Sequence, residues 1–288
     1  MNKKLIINAD DYGICREVNK AIEHLIIEGK LQNVSVLANS WFYEEAVDFL
    51  RTYSSCSVGV HLNVVEGIAL SPNENVSALL DHNQQFVNLK QIFLRWIRSP
   101  LAVSRAIETE WRKQIERLLN DGLVISHADS HQHIHAFPPF WRILLRLCHD
   151  FKIPTLRSAI ETNRIKKRKI PAFALAQSNR LGKLLTPKKE LICNDHLLGF
   201  KRAGFYGEEE ILADLTHLRE GVTELVIHPS LEDHLPYQGF YGGKEYQALL
   251  SPKIKQRIND LEIEISSWSN IGKTKLERLN DGMALEKL

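Results

Sequence analysis

Short runs of aliphatic and β-branched residues alternate along this chain with longer amphipathic segments, and this alternation restricts the folds open to it. The runs that predict strands are LIINA (5–9), NVSVLAN (33–39), SVGVHLN (57–63), LVISHADS (123–130), IPTLRS (153–158) and ELVIHPS (224–230). The segments that predict helices are residues 18–30, 44–53, 101–120, 138–151, 208–221 and 243–268. The pattern predicts an α/β fold with a parallel sheet, either doubly wound or closed into a barrel.

Polar residues follow the predicted strands. They are Asp10 and Asp11, Asn39, His61 and Asn63, Asp129 and His131, Arg157, and His228. In a parallel barrel the carboxyl ends of the strands meet at one face, where such enzymes carry their active sites. No predicted strand is followed by a glycine-rich GxGxxG or GKS/T loop, so a nucleotide site is not indicated. The pattern favours a barrel enzyme.

The segment HADSHQHIHAF, residues 127–137, holds four histidines and an aspartate within nine positions. If the segment is extended, residues 127, 129, 131, 133 and 135 share one parity and point to one face. Such a face is costly to bury without a cation or a complete hydrogen-bond network. The segment therefore predicts a metal or catalytic site, with further ligands supplied from elsewhere in the chain.

The other polar motifs are less specific when each is taken alone. Asp10 and Asp11 also fit a turn with a helix N-cap, and His61 and His228 also fit structural histidines. Taken jointly, they supply what a catalytic divalent ion needs, which is a carboxylate and two imidazoles with open positions. A second carboxylate beside the ion can then act as a general base, and the pair Asp10–Asp11 suits this division.

The bulk composition is that of an ordinary globular protein, with 288 residues, 44% hydrophobic and 25% charged residues, and a formal net charge of +2. It gives no reason to expect a nucleic-acid partner. The four cysteines have no CxxC spacing, so neither a disulfide framework nor a cysteine zinc site is expected. The N-terminal apolar run stops at two aspartates, and no run approaches the roughly 20 residues of a membrane span. We expect a cytoplasmic protein.

One stretch departs from the strand–helix rhythm. Residues 157–190 carry ten lysines and arginines against two glutamates. A solvated basic insertion at the surface is one interpretation. The other is a patch that binds an anionic or lipid-linked substrate through peripheral contact with a membrane. The residues do not decide between them.

The four clusters NADDYG, GVHLN (59–63), HADSHQHIH (127–135) and ELVIHPS (224–230) together resemble the motifs of the YdjC-like (ChbG-type) carbohydrate deacetylases. The closing segment YGGKEYQALLSPKIKQRI resembles that family too, and the resemblance runs from residue 4 to about residue 270. The family is similar to the NodB-type polysaccharide deacetylases. The resemblance implies a single domain over residues 1–288, folded as an irregular, seven-stranded (β/α) TIM-like barrel, with the basic stretch as an insertion.

The resemblance also implies a reaction and a role for each matching residue. The reaction is removal of acetyl from an N-acetylated amino sugar in an oligosaccharide or glycoconjugate, by attack of metal-bound water. The implied ligands of one divalent ion, with Mg²⁺ and Zn²⁺ as first expectations, are Asp11, His61 and His131. The implied base is Asp10, and the implied acid is His228. The residues expected to orient the ligands or contact substrate are Asn63, Asp129, His133, His135 and Arg157.

The chemistry of the residues leaves two alternatives open. HxH clusters also build multinuclear phosphoesterase sites, which need two or three ions and more bridging carboxylates. A non-catalytic sugar-binding relative is the other alternative. Asp10 argues against it, because a site that only binds a metal ion does not need this additional carboxylate. A covalent route is not indicated, because the chain has no GxSxG elbow. A homodimer is the default expectation for an enzyme of this size.

Overall fold

A computed structural model describes residues 2–53, 55–161, 169–184 and 192–273. The strands are β1 (Lys3–Tyr12), β2 (Asn33–Val36), β3 (Ser57–Leu62), β4 (Ile125–Ser130), β5 (Thr155–Leu156), β6 (His196–Leu198), β7 (Gly221–Ile227) and β8 (Glu264–Ile265). The α-helices are α1 (Arg16–Ile27), α2 (Tyr43–Thr52), α3 (Asn73–Val76), α4 (Leu89–Arg98), α5 (Pro100–Asn120), α6 (Pro138–Asp150), α7 (Lys169–Leu184), α8 (Glu208–Thr216), α9 (Gly242–Leu250) and α10 (Pro252–Asp260). Short 3-10 helices cover Ser77–Leu79, His131–Ala136 and Phe200–Arg202.

Seven strands form a curled parallel sheet in the order β5-β4-β3-β2-β1-β7-β6, and β8 adds a short parallel pairing to β1. The two ends of the sheet meet beyond β5. There the backbone N–H of Leu197 donates to the carbonyl of Ile160 at 3.0 Å, and that of Leu156 donates to Ile192 at 2.9 Å. Parallel neighbours need crossover connections, and the helices provide them. The predicted irregular, seven-stranded (β/α) barrel is confirmed.

The helices pack one apolar face against the sheet. Helix α5 shows the pattern well, since Val103, Ile107, Trp111, Ile115 and Leu118 recur every three or four residues and are all buried. Burying such a side chain stabilises the fold by about 1.5–3 kcal/mol. Among the described residues, no helix has both the length and the apolar character needed to cross a bilayer.

The extended interpretation of HADSHQHIH is right only as far as Ser130. Strand β4 ends there, and His131–Ala136 form a 3-10 helix. Gln132 and His133 both have φ = 52°, in the left-handed region that non-glycine residues rarely adopt. Strand parity therefore does not describe the positions of the imidazoles after Ser130.

The basic stretch 157–190 lies only partly within the described residues, because residues 162–168 and 185–190 fall outside them. Its described part is not simply a solvated insertion. Arg157 is wholly buried in the barrel, and helix α7, which we did not predict, occupies the middle of the stretch.

Candidate active site

The end of β1 directs two adjacent aspartates into one site. In a regular strand, neighbouring side chains point to opposite faces. Here the register between β1 and β2 shifts between Ala9 and Tyr12, and Asp11 adopts φ = 62°. This local irregularity, which resembles a β-bulge, lets Asp10 and Asp11 line the same cavity. A left-handed aspartate costs conformational energy that the surrounding structure must offset.

Asp11, His61 and His131 come together from the ends of β1, β3 and β4. Asp11 Oδ1 lies 2.8 Å from His131 Nδ1 and 3.3 Å from His61 Nε2. Each residue offers a ligand atom, these atoms all lie within 4.8 Å of one another, and all three residues are buried. The structure thus brings together the three residues that the resemblance implied as ligands.

The electrostatics of this cluster suit a divalent cation. Burial alone would lower the pKa of both imidazoles, but Asp129 and Asp10 raise that of His61 to about 10, and Asp11 raises that of His131 to about 9. The two imidazoles hold the pKa of Asp11 well below its usual value despite burial. At neutral pH both His61 and His131 are then protonated. A divalent ion that displaces one proton from each imidazole would leave the net charge unchanged. The donor set fits such an ion.

Asp129 orients His61. Its Oδ1 lies 2.6 Å from His61 Nδ1, so that the other ring nitrogen faces Asp11. Its Oδ2 accepts a hydrogen bond from Ser35 Oγ at 2.7 Å and lies 2.7 Å from Arg157 Nη2. A carboxylate behind an imidazole is the usual way to fix the ring and tautomer of a metal-binding histidine.

Arg157 is a buried cation among three buried carboxylates. Its Nη1 and Nη2 each donate to one oxygen of Asp10 at 2.7 Å, and its Nε and Nη2 donate to Glu224 at 3.0 and 2.8 Å. Asn8 donates to Asp10 as well, at 2.8 Å. Burial raises the pKa of Glu224 to about 7 although Arg157 opposes the shift.

This arrangement bears on how many ions the site could hold. Asp10, His61 and Asp129 also lie close enough to form a second donor set. The guanidinium of Arg157, however, already engages both oxygens of Asp10 and one of Asp129. Repulsion from that guanidinium makes the second donor set less suited to a cation than the set of Asp11, His61 and His131.

His228 directly follows β7 and lines the cavity, and its side chain is 19% exposed. Its backbone N–H donates to Glu245 Oε2 at 2.6 Å, and its Nδ1 lies 4.0 Å from the same oxygen. Among the described residues His228 Nδ1 has no hydrogen-bond partner. The ring contacts Phe240 edge-on, with centroids 5.8 Å apart. His228 thus lines the cavity, with its Nδ1 turned to the buried carboxylate of Glu245.

The remaining predicted residues fall in three different environments. His133 lines the cavity, and its Nδ1 has no partner within the described part of the chain. His135 lies behind the cavity wall, between Ser130 Oγ and the carbonyl of Arg157. Asn63 does not line the cavity either; its side chain holds the loop after β3 through hydrogen bonds to Asn39 and to the backbone of residues 65–66.

Two polar residues that line the cavity, Tyr237 and Glu66, were not predicted from the sequence. Tyr237 OH donates to Glu66 Oε2 at 2.9 Å and lies 3.2 Å from His131 Nε2. Glu66 also accepts from the Gln132 side chain at 3.2 Å. Glu66 could have been proposed from the sequence, because it follows Asn63 in the loop after β3. Tyr237 sits in a long loop after β7, where no spacing rule predicts it.

Polar groups at the carboxyl ends of β1, β3, β4 and β7 in a curled parallel sheet define the layout of a barrel enzyme. A family model described as YdjC-like protein matches residues 4–260. The chain belongs to this family.

Two named relatives are similar to this chain, one over nearly the full length and one over about half of it. A carbohydrate deacetylase of Brevibacillus brevis is 27% identical over 278 residues, which cover 93% of this chain and 100% of that protein. A carbohydrate deacetylase of Danio rerio is 31% identical over 159 residues, covering 55% of this chain and 50% of that protein. A solved Enterococcus faecalis structure, with a proposed role in cellobiose-phosphate cleavage, matches with a TM-score of 0.75 at 24% identity, covering 94% and 99% of the two chains. That likeness concerns the fold alone.

Proposed function

We propose that this chain is a divalent-metal-dependent hydrolase that removes the acetyl group from an N-acetylated amino sugar. One observation carries the proposal: Asp11, His61 and His131 offer closely spaced ligand atoms in the wall of a cavity that Asp10 and His228 also line. Membership of the YdjC-like family and the names of the Brevibacillus and Danio relatives support the same activity.

Asp11, His61 and His131 would hold the ion. When bound, the ion polarises the acetyl carbonyl and makes water a stronger nucleophile at neutral pH. Two imidazoles in a set of three ligands suit Zn²⁺ or Fe²⁺ better than Mg²⁺, which prefers oxygen ligands. Asp129 keeps His61 Nε2 turned towards Asp11.

Asp10 is the proposed base. Arg157 and Asn8 fix its carboxylate by three hydrogen bonds, so it meets the attacking water from one direction. As the water oxygen bonds to the acetyl carbon, Asp10 takes its proton. A base held in one place loses little freedom in the transition state, and this is the contribution we assign to Arg157.

His228 is the proposed acid. Breaking the amide C–N bond releases a nitrogen that is a poor leaving group unless it gains a proton, and His228 supplies it. Glu245 Oε2 accepts a hydrogen bond from the His228 backbone N–H at 2.6 Å, which holds this residue at the cavity wall. The products are acetate and the free amino sugar.

Metal content and acetate release test the proposal together. After loading with Zn²⁺ and desalting, we expect about one ion per chain in wild type and in Asp10→Asn, and much less in His131→Ala. Wild type should release acetate from an N-acetylglucosamine glycoside. Asp10→Asn should lower kcat/KM by about 10²–10⁴, while Asp48→Asn, an exposed carboxylate on α2, should leave it unchanged.

Two results would overturn the proposal. Full turnover by Asp10→Asn would refute the assignment of Asp10 as the base. If wild type loaded with any of several cations released no acetate, the proposed deacetylase activity would be refuted. Two or three ions per chain would instead favour the phosphoesterase alternative.

A further inference from the structure

The two ring nitrogens of His131 face different surroundings. Its Nδ1 lies 2.8 Å from Asp11 Oδ1, on the side of the candidate metal ligands. Its Nε2 lies 3.2 Å from Tyr237 OH and 3.5 Å from Glu66 Oε1. A histidine that binds a metal ion uses one ring nitrogen, and the N–H of the other donates to a carboxylate, a carbonyl or water. The geometry therefore directs the Nε2–H of His131 to Glu66 and Tyr237.

We propose that Glu66 is a positioning residue for His131 and that Tyr237 acts with it. Together they hold the ring so that Nδ1 faces the metal ion, and they thereby raise the affinity of the site for that ion. This role rests on the proposed function, because it takes His131 to be a ligand. Asp129 serves His61 in the same way through Nδ1, so each imidazole ligand would have a carboxylate of its own behind it.

The Glu66 side chain is held by polar groups from two other segments. Its Oε2 accepts a hydrogen bond from Tyr237 OH at 2.9 Å, and its Oε1 accepts one from Gln132 Nε2 at 3.2 Å. Glu66 thus joins the segments that follow β3, β4 and β7. Because both of its oxygens are engaged, the carboxylate is kept beside Nε2 of His131 although its side chain is 37% exposed.

The peptide of Glu66 is fixed as well, by two buried side-chain amides. Asn63 Oδ1 accepts from the backbone N–H of Glu66 at 3.2 Å, and Asn63 Nδ2 donates to the Glu66 carbonyl at 2.8 Å. Asn39 Nδ2 donates to the same carbonyl at 3.3 Å. Both asparagines are buried. Asn63, which does not line the cavity, would thus contribute to the site by fixing the residue that orients a ligand.

Tyr237 connects this contact to the loop that carries the proposed acid. Its ring packs against Phe240 with centroids 5.3 Å apart, and Phe240 packs edge-on against His228 with centroids 5.8 Å apart. The Tyr237 hydroxyl therefore anchors the loop after His228 to the segment that carries Glu66. Removal of the hydroxyl should weaken metal binding less than removal of the carboxylate, because Glu66 still lies beside His131.

Two other roles for Glu66 make different predictions. If Glu66 only bridges loops, its removal lowers the free energy of unfolding and leaves the metal affinity of the folded protein unchanged. If Glu66 binds substrate, its removal raises KM and again leaves metal affinity unchanged. A positioning role alone predicts weaker metal binding by the folded protein together with a change at the His131 ring.

Zn²⁺ affinity, measured by competition with a chromophoric chelator, tests the role without any turnover. Glu66→Ala should weaken binding about 10–100-fold, the usual effect of losing the partner behind a ligand histidine. Glu66→Gln keeps a carbonyl acceptor but loses the charge. Because charge-assisted hydrogen bonds are roughly twice as strong as neutral ones, Glu66→Gln should weaken binding about 3–10-fold. Tyr237→Phe should weaken it less than Glu66→Ala does.

Glu74→Ala and Tyr53→Phe are the matched controls. Glu74 lies exposed on α3, and Tyr53 is 37% exposed at the end of α2. Neither residue lines the cavity. Both variants should bind Zn²⁺ as tightly as wild type does.

Nitrogen-15 NMR spectra of the histidines in the Zn²⁺-loaded protein provide a signature that a mere bridge between loops would not move. We expect His131 to carry its proton on Nε2 and the ion on Nδ1, and His61 to show the reverse. In Glu66→Ala and Glu66→Gln, the Nε2 resonance of His131 should shift, while the resonances of His61 should stay close to those of wild type. Binding of the ion to Nε2 of His131 would overturn the proposed role.

The outcomes separate this role of Glu66 from the deacetylase proposal. Weaker Zn²⁺ binding by the Glu66 variants, without acetate release by wild type, would support the positioning role and refute only the deacetylase. Acetate release by wild type, with unchanged Zn²⁺ affinity in Glu66→Ala and Glu66→Gln, would overturn the positioning role and leave the deacetylase intact. A raised KM at unchanged Zn²⁺ affinity would also overturn it, because Glu66 would then act in substrate binding. If Glu66→Ala does not fold, the Zn²⁺ affinity of Glu66→Gln decides.

Discussion

Arg157 is the residue whose removal the structure makes most informative for stability. The guanidinium is wholly buried and makes contacts of 3.0 Å or less with Asp10, Asp129 and Glu224. Arg157→Met keeps much of the side-chain volume but leaves these carboxylates without their cation. Breaking a buried ion pair on one side costs about 3–5 kcal/mol. We expect the free energy of unfolding at pH 7.5 to fall by that amount.

The loss should depend on pH with a definite sign. In wild type, Arg157 and His61 hold the pKa of Asp129 well below its usual value although burial opposes them. Without Arg157, one cation that opposes the effect of burial is lost, so the pKa of Glu224 rises further above its ordinary value and that of Asp129 rises as well. The folded variant then binds protons that the unfolded chain does not bind above about pH 4, so lowering the pH stabilises it. The difference in the free energy of unfolding between wild type and Arg157→Met should become smaller as the pH falls from 8 to 5.

Urea unfolding of the metal-free proteins, followed by tryptophan fluorescence, measures both effects. Arg112→Met is the control, since Arg112 pairs with Asp150 at 2.6 Å on the exposed surface, where such pairs contribute at most about 1 kcal/mol. If Arg157→Met lost no more stability than Arg112→Met at pH 7.5, the buried network would not stabilise the barrel as argued. A gap that widened on acidification would refute the linkage reasoning.

Three further predictions follow from the same geometry. Asp129→Asn should weaken Zn²⁺ affinity about 10–100-fold in competition with a chelator, because it disturbs the orientation of His61; unchanged affinity would contradict the orienting role. Zn²⁺ binding at pH 7 should release close to two protons, since the pKa values of His61 and His131 are raised to about 10 and 9; calorimetry in two buffers of different ionisation enthalpy counts them. Gly59→Ala should destabilise the fold by about 1–3 kcal/mol in urea, because its Cβ would lie 2.2 Å from His127 Nε2, and a neutral result would mean that the ring can move aside.

The fold was predictable where periodicity is strong and hidden where elements are short. The strands at the centre of the sheet are recognisable in the sequence as runs of aliphatic and β-branched residues. Strand β6 has only three residues, too few for any period to show. Helix α4 could have been predicted, but we did not predict it. Asn88 and Gln91 form a capping box before apolar residues at helical spacing, which is a sequence signal for the start of a helix.

The site was predictable as a set of residues but not as a geometry. Alternation correctly put His127 and Asp129 on the same side of β4, inside the barrel. It failed for His135, which lies behind the cavity wall, because a strand cannot continue through the two left-handed residues Gln132 and His133. Tyr237 depends on a loop conformation, which sequence periodicity does not encode.

The adjacent aspartates show how tertiary structure divides labour between like residues. Asp10 and Asp11 differ by one position, and local sequence gives neither a distinct role. The irregularity at the end of β1 turns Asp11 towards His61 and His131, while Arg157 binds both oxygens of Asp10. Asp11 is thereby the carboxylate in closest contact with both imidazoles, and Asp10 is the one whose two oxygens are both bound by a guanidinium. In the proposed mechanism, this bend in the chain is what lets two chemically identical groups act as ligand and base.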